Sequence, residues 1–204
     1  MISTSRTPWD IHPDLTEDRL AIVARILAET RNEEVKRTVD PHAVAWGLGC
    51  MAFNRCKVAI ERAEFMHGTW LRVLDHSNGL VFTIGEVPAR FLKGDPDHPN
   101  PKALAVRHAE VRQMHFAEFD SPEVHLWRFL IDTDVNGRAI KVHFVGLSET
   151  GSTVSHWEWT YREAVVPITR SAKARGEALK LGRPAVKPKQ GGKDDRSNEG
   201  GISA

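Results

Sequence analysis

The Asn136-Gly137 dipeptide constrains the fold most strongly, because it predicts a β-hairpin with a defined register. Residues 124–134 and 138–147 alternate in polarity on either side of it, and Asn-Gly is typical of tight hairpin turns. Closing the turn predicts one apolar face, with these pairs opposite each other: Trp127 and Gly146, Phe129 and Phe144, Ile131 and Val142. It also predicts a polar face, with these pairs: Arg128 and Val145, Leu130 and His143, Asp132 and Lys141.

The remaining elements follow from apolar spacing and from turn residues. Residues 15–39 carry apolar side chains at three- and four-residue intervals, which predicts a helix. Asp40-Pro41 marks the start of a second helix, to about residue 65. Asn78-Gly79 predicts another hairpin, which places Val73 opposite Ile84 and Asp75 opposite Phe82. A short strand at 90–92, a helix over 102–119 and an alternating strand over 153–161 complete the pattern.

This order of elements predicts an α+β fold with two N-terminal helices and two antiparallel hairpins separated by a helix. Residues 1–14 are predicted to be a lead-in loop, and residues 15–169 a single α+β domain. Residues 170–204 have no aromatic side chain, and they carry nine Lys or Arg against four Asp or Glu, a net charge of +5. Such a composition predicts a disordered basic C-terminal tail.

Composition also bounds the class of protein. The chain of 204 residues has a net charge of +1 and only two cysteines, Cys50 and Cys56. Few cysteines indicate a reducing compartment. Without a long apolar run or a secretory leader, we expect a soluble, cytoplasmic protein with no membrane association. Because no phosphate-binding glycine loop and no metal-ligand spacing occurs, we expect no cofactor and no metal.

Titratable residues near the second hairpin provide the only candidate catalytic group. The polar face of this hairpin carries, on it or beside it, Glu123, Asp132, Lys141 and His143. Side chains of these types serve as the acids, bases and cation in the active site of a metal-dependent nuclease. The acidic-x-Lys element of restriction-type nucleases is missing, since residues 139–141 read Ala-Ile-Lys. Asp132 with Lys141 equally fits a cross-strand ion pair on a solvated face.

Tryptophans and the tail provide the candidate binding residues. Trp157 and Trp159 alternate on the last strand, where one of them is expected to be exposed as an anchor for a protein or for nucleic acid bases. In the tail, Leu181-Gly182-Arg183-Pro184 followed by Lys187 and Lys189 resembles the core of an AT-hook, with Leu181 where that motif has Arg. The resemblance implies that the tail enters the minor groove of A·T-rich DNA. A tail that solvates the chain without specific binding fits the same composition.

These observations predict a non-enzymatic intracellular binding protein whose partner is a protein or a nucleic acid, with electrostatic help from the tail. The alternative is a metal-dependent hydrolase, most plausibly a nuclease, that uses the polar face of the second hairpin.

Overall fold

The computed structural model describes residues 6–38, 45–98, 101–116 and 124–162. The predicted tail therefore lies outside the described residues. The described helices are α1 (Pro8–Ile11), α2 (Glu17–Arg37), α3 (Ala45–His67), α4 (Pro101–Leu104) and α5 (His108–Phe116). The described strands are β1 (Leu71–Asp75), β2 (Val81–Ile84), β3 (Val87–Lys93), β4 (Leu126–Thr133), β5 (Ala139–Leu147) and β6 (Thr153–Thr160). None of these helices has the length and apolarity that a membrane crossing requires.

All six strands form one sheet in which spatial order equals chain order, from β1 to β6. Every neighbouring pair is antiparallel except β3 and β4, which run parallel with Arg90 opposite Arg128. The sheet is therefore two three-stranded antiparallel meanders joined by one parallel pair. The α+β class is confirmed, and so is every pair predicted for the second hairpin.

Helices α2 and α3 cover one face of the sheet and bury the apolar side chains of both meanders. Leu20, Leu27, Ile60, Phe82 and Phe129 are fully buried in this core. Asn32 fixes α2 to the sheet, since its side chain accepts from the Ala139 amide at 2.7 Å and donates to the Ala139 carbonyl at 3.1 Å. Such a buried amide has both its donor and acceptor satisfied, so it sets the position of α2 along β5.

The opposite face, predicted to be polar, is instead buried over most of its length. Arg128 is 0% exposed, Leu130 1% and His143 6%. Ala103 of α4 packs there in a second apolar cluster with residues of β4 and β5. The reason for the difference is that the chain between β3 and β4 folds over this face, which strand alternation cannot reveal.

Three other expectations differ from the structure. Residues 8–11 form α1 inside the predicted lead-in loop, and the helix predicted over 102–119 is two helices interrupted at 105–107. In the first hairpin, Val73 lies opposite Phe82 rather than Ile84. The turn is longer than two residues, because the Asp75 carboxylate accepts from the Ser77 amide at 2.8 Å and its hydroxyl at 2.9 Å.

Candidate anion-binding cleft

A cleft of about 790 Å³ lies where β3 extends past the end of β2. Pairing between these strands ends at Phe82 opposite Ala89, so residues 90–93 extend beyond it and form the floor of the cleft. Helix α3 forms one wall. The segment from α4 to α5 and the β1–β2 turn form the other. The volume lies within the range of about 300–1,000 Å³ that is typical of small-ligand sites.

The charged side chains on the described lining of this cleft are all cationic. They are Arg31, Arg90, Lys93, Lys102 and Arg107. Lys93, Lys102 and Arg107 are exposed, whereas Arg31 is 5% exposed and Arg90 6%. Because the walls exclude water on several sides, the potential of these cations is concentrated inside the cleft, where it favours an anion.

Arg90 is the most informative of these residues because neutral groups hold it. Its Nε donates to the Gly79 carbonyl at 3.0 Å, and its Nη1 donates to the Ala105 carbonyl at 2.9 Å. Burial lowers the pKa of Arg90, and the neighbouring Arg128 lowers it further. A guanidinium nevertheless stays protonated at neutral pH. The two carbonyls accept from two of its five N–H donors and leave its positive charge beside the cleft.

Arg128, the neighbour of Arg90 on β4, is bound to a carboxylate rather than only to neutral groups. Its guanidinium donates to both carboxylate oxygens of Glu110, which is 1% exposed. It also donates to the carbonyl oxygens of Ala103 at 2.7 Å and Trp127 at 2.8 Å. The Glu110 carboxylate also accepts from the Arg107 backbone amide at 2.8 Å, and Arg128 is the guanidinium that it binds. Positive charge is therefore less well compensated on the Arg90 side.

Arg107 brings a third guanidinium to the same place. A Cβ built on Gly79 would lie 3.0 Å from the Arg107 Nε, so Arg107 packs directly on this glycine. The carbonyl of Gly79 also accepts from Arg90. The absence of a side chain at residue 79 therefore lets both guanidinium groups lie against one residue, with Asn78 beside them on the cleft lining.

Helix α3 contributes an aromatic wall. Trp46, Gly49, Cys50 and Phe53 are spaced three and four residues apart, so they share the helix face that lines the cleft. Trp46 is 78% exposed. A Cβ on Gly49 would meet no atom of the described residues within 4 Å. The helix surface beside the Trp46 ring is open to a ligand.

Three of the residues predicted to form a catalytic group, Asp132, Lys141 and His143, lie close together on β4 and β5. Lys141 lies opposite Asp132 in the strand register, but its ammonium pairs with Glu158 at 2.9 Å. The His143 Nδ1 lies 3.0 Å from the His156 Nε2 and 3.7 Å from Glu158. Burial lowers the pKa of His143, and His156 adds to that effect. Glu123 lies outside the described residues.

Within the described ranges, no three His, Cys, Asp or Glu side chains are arranged to hold a metal ion. Cys56 is buried, and Cys50 is exposed on the cleft lining.

The predicted binding tryptophans lie mainly against the core. Trp157 is 9% exposed, and Trp159 is half-buried against the same core cluster. The most exposed tryptophan of the described residues is instead Trp46. The tail residues Arg183, Lys187 and Lys189 lie outside the described residues.

Sequence reasoning missed the cleft because its walls come from segments far apart in the chain. A usable signal was present in V-P-A-R-F-L and L-W-R-F-L-I, where Arg90 and Arg128 interrupt apolar strands. An arginine in such a position is buried only with specific partners, so it marks an ion pair or a site. No family model, curated protein or solved structure matches this chain, so the cleft itself is the basis for assigning a function.

Proposed function

We propose that this protein is a non-enzymatic binding protein whose ligand is single-stranded nucleic acid, with the strand backbone lying along the cleft. The observation that carries the proposal is the described lining of five cationic side chains without a carboxylate. Phosphates are the dominant source of affinity in such complexes, since each cation that neutralises a phosphate releases a counterion.

The exposed ring of Trp46 favours a single strand over a duplex. Proteins that bind single strands combine a cationic groove with aromatic rings on which unpaired bases stack. The basic tail, with its net charge of +5, would add electrostatic attraction without adding sequence specificity. An acidic segment of a protein partner is the competing ligand, because it carries charge but no base to stack.

The test is fluorescence anisotropy of the full chain with a labelled single-stranded oligonucleotide over a range of salt concentrations. In one variant the three exposed cleft cations Lys93, Lys102 and Arg107 are changed to Gln. The matched control changes three exposed cations elsewhere to Gln, Arg25, Arg62 and Arg72, and therefore has the same net charge.

Loss of three phosphate contacts should reduce the magnitude of the slope of log affinity against log salt by about 2 in the cleft variant. The control should keep the slope of the parent protein. Equal losses in the two variants would mean that net charge alone attracts the strand, and absence of binding at low salt would refute the proposal. Binding of an acidic peptide in that case would favour a protein partner.

A second proposal is a metal-dependent hydrolase, most plausibly a nuclease, and it has weaker support. What favours it is the contact of titratable groups on β5 and β6, where His143 meets His156 and Lys141 meets Glu158. Strand cleavage with Mg²⁺ or Mn²⁺ that is lost in Asp132→Ala and His143→Ala would support it. Those two variants should retain strand affinity if the cleft is the binding site.

A further inference from the structure

We infer that the cleft receives the end of a nucleic acid strand, with a terminal phosphomonoester seated between Arg90 and Arg107. This inference rests on the proposed function and specifies which part of the strand the cleft recognises.

The local charge balance points to a ligand with more than one negative charge at this position. The guanidinium groups of Arg107 and Arg128 lie close enough to lower the pKa of Arg90, and the carboxylates of Glu110 and Asp75 lie close enough to raise it. Glu110 is bound by Arg128, and the Asp75 carboxylate is held by the amide and hydroxyl of Ser77. Asp75 keeps its negative charge and attracts Arg90 and Arg107, so three arginines and two carboxylates leave a net charge of +1 beside the cleft. The other cations on the described lining, Arg31, Lys93 and Lys102, raise this excess for a ligand to neutralise.

A terminal phosphate matches this balance better than an internal one. A phosphomonoester carries about −1.5 to −2 charge at neutral pH, whereas a phosphodiester within the strand carries a single negative charge. A monoester also presents three oxygens without a second ester substituent, so it can accept from two guanidinium groups at once. Asn78, on the same part of the lining, has a neutral amide that can donate to the third oxygen.

The burial of Arg90 also favours a terminal phosphate over an internal one. Only 6% of its side chain is exposed, and its Nε and Nη1 are fixed on carbonyl groups on either side. A group that reaches this guanidinium must enter the cleft. A phosphate at a strand end can do so alone, whereas an internal phosphate would have to bring both neighbouring nucleotides with it.

Trp46, on the opposite wall, completes the site for a strand end. Its exposed ring and the open helix surface at Gly49 provide a platform for the base next to the seated phosphate. A cleft of about 790 Å³ can enclose the terminal one or two nucleotides of such a strand. The remaining nucleotides would extend over the exposed cations Lys93 and Lys102.

The experiment compares oligonucleotides of one sequence that carry a 5′-phosphate, a 3′-phosphate or hydroxyl groups at both ends, by anisotropy with the full chain. We expect one of the phosphorylated forms to bind about tenfold more tightly than the hydroxyl form, as a bidentate charged contact would produce. The affinity ratio should fall to about 1 in Arg90→Gln and in Arg107→Gln. Arg107 is exposed, so this second variant tests the seat even if Arg90→Gln does not fold.

Two variants serve as controls for the ratio of the affinities of the phosphorylated and hydroxyl oligonucleotides. Lys93→Gln should weaken both forms equally and keep the ratio, because Lys93 lies on the cleft lining apart from the Gly79 carbonyl and the Arg107 guanidinium. Arg72→Gln, on exposed β1 surface, should leave both affinities unchanged.

Equal binding of all three oligonucleotides would overturn the inference and leave the proposed function intact. Failure of every oligonucleotide to bind would overturn the proposed function itself. A nucleoside monophosphate is tested in the same assay as a competitor. If it displaced the phosphorylated form at equal concentration, a free nucleotide rather than a strand end would be the ligand, and the inference would be wrong.

Discussion

Arg90 and Arg128 occupy adjacent positions on β3 and β4 and are both buried, yet changing each to Met should have very different effects on stability. Arg128 is bound to Glu110 and to several backbone carbonyls, so its charge is compensated. Arg90 is hydrogen-bonded only to two carbonyl groups, so no carboxylate contacts its charge. The same substitution therefore removes a structural ion pair at one position and an unneutralised charge at the other.

The expected magnitudes follow from these partners. Arg128→Met leaves the Glu110 carboxylate buried without its partner, which typically costs about 3–5 kcal/mol. Arg90→Met removes two hydrogen bonds worth about 1 kcal/mol each. One of the two acceptors, Ala105, still accepts from Arg128 at 3.2 Å. Removing a desolvated guanidinium offsets part of this loss, so the net cost should stay below about 2 kcal/mol.

The assay is urea unfolding of both variants and the parent, followed by tryptophan fluorescence and extrapolated linearly to water. A cost for Arg90→Met equal to that for Arg128→Met would refute the reasoning. It would mean that Arg90 is as well compensated as Arg128, and the basis for an anion seat in the cleft would be lost. A rise in stability of Arg90→Met would strengthen it, because binding residues are often held at the expense of stability.

Three further predictions concern the rest of the chain. Gly146→Val should lower the free energy of unfolding in urea by about 1–3 kcal/mol, because a Cβ there would lie 3.0 Å from the Trp127 ring. Trp127→Ala should lower it by about 3–5 kcal/mol. Gly146→Val should cost less in the Trp127→Ala background, and additive costs would contradict the contact. Burial lowers the pKa of His143 below the ordinary histidine value of 6.5, so its contribution to stability is present above that pH and is lost as the pH falls toward the folded-state pKa. His143→Gln should therefore reduce the fall in thermal midpoint between about pH 7 and pH 5, and an unchanged pH profile would show that another group dominates. Removing residues 170–204 should leave the thermal midpoint unchanged, since their composition buries little apolar surface, whereas a drop of more than a few degrees in calorimetry would show that they contribute to folding.

Local signals in the sequence were sufficient for elements whose partners are close in the chain. Strict alternation on either side of Asn136-Gly137 predicted the pairing of Phe129 with Phe144 correctly. The turn itself is longer than two residues, and a register shift between Asp132 and Thr133 restores the predicted pairs. In the first hairpin the same Asn-Gly signal was misleading. The side chain of Asp75 holds a longer turn there, and a two-residue turn cannot accommodate that contact.

Features that depend on distant segments could not be predicted in this way. The face that carries Arg128 and His143 is alternating in sequence but buried in the structure, because α4 and α5 lie over it. The cleft is assembled from α3, β3 and the segment after α4, and no periodicity connects them. An arginine within an apolar strand was the one local sign of it, and Arg90 shows that such a residue can mark a site as well as an ion pair.

The single parallel strand pair has a consequence for how this protein folds. Each three-stranded meander is built from contacts that are close in the chain, and such contacts form quickly. Joining β3 to β4 must instead close the long segment that carries α4 and α5, so it should be the slow step of folding. The Arg90 and Arg128 side chains meet at that boundary. The proposed anion site therefore cannot form in either half alone, and binding of its ligand would report that the two halves have docked.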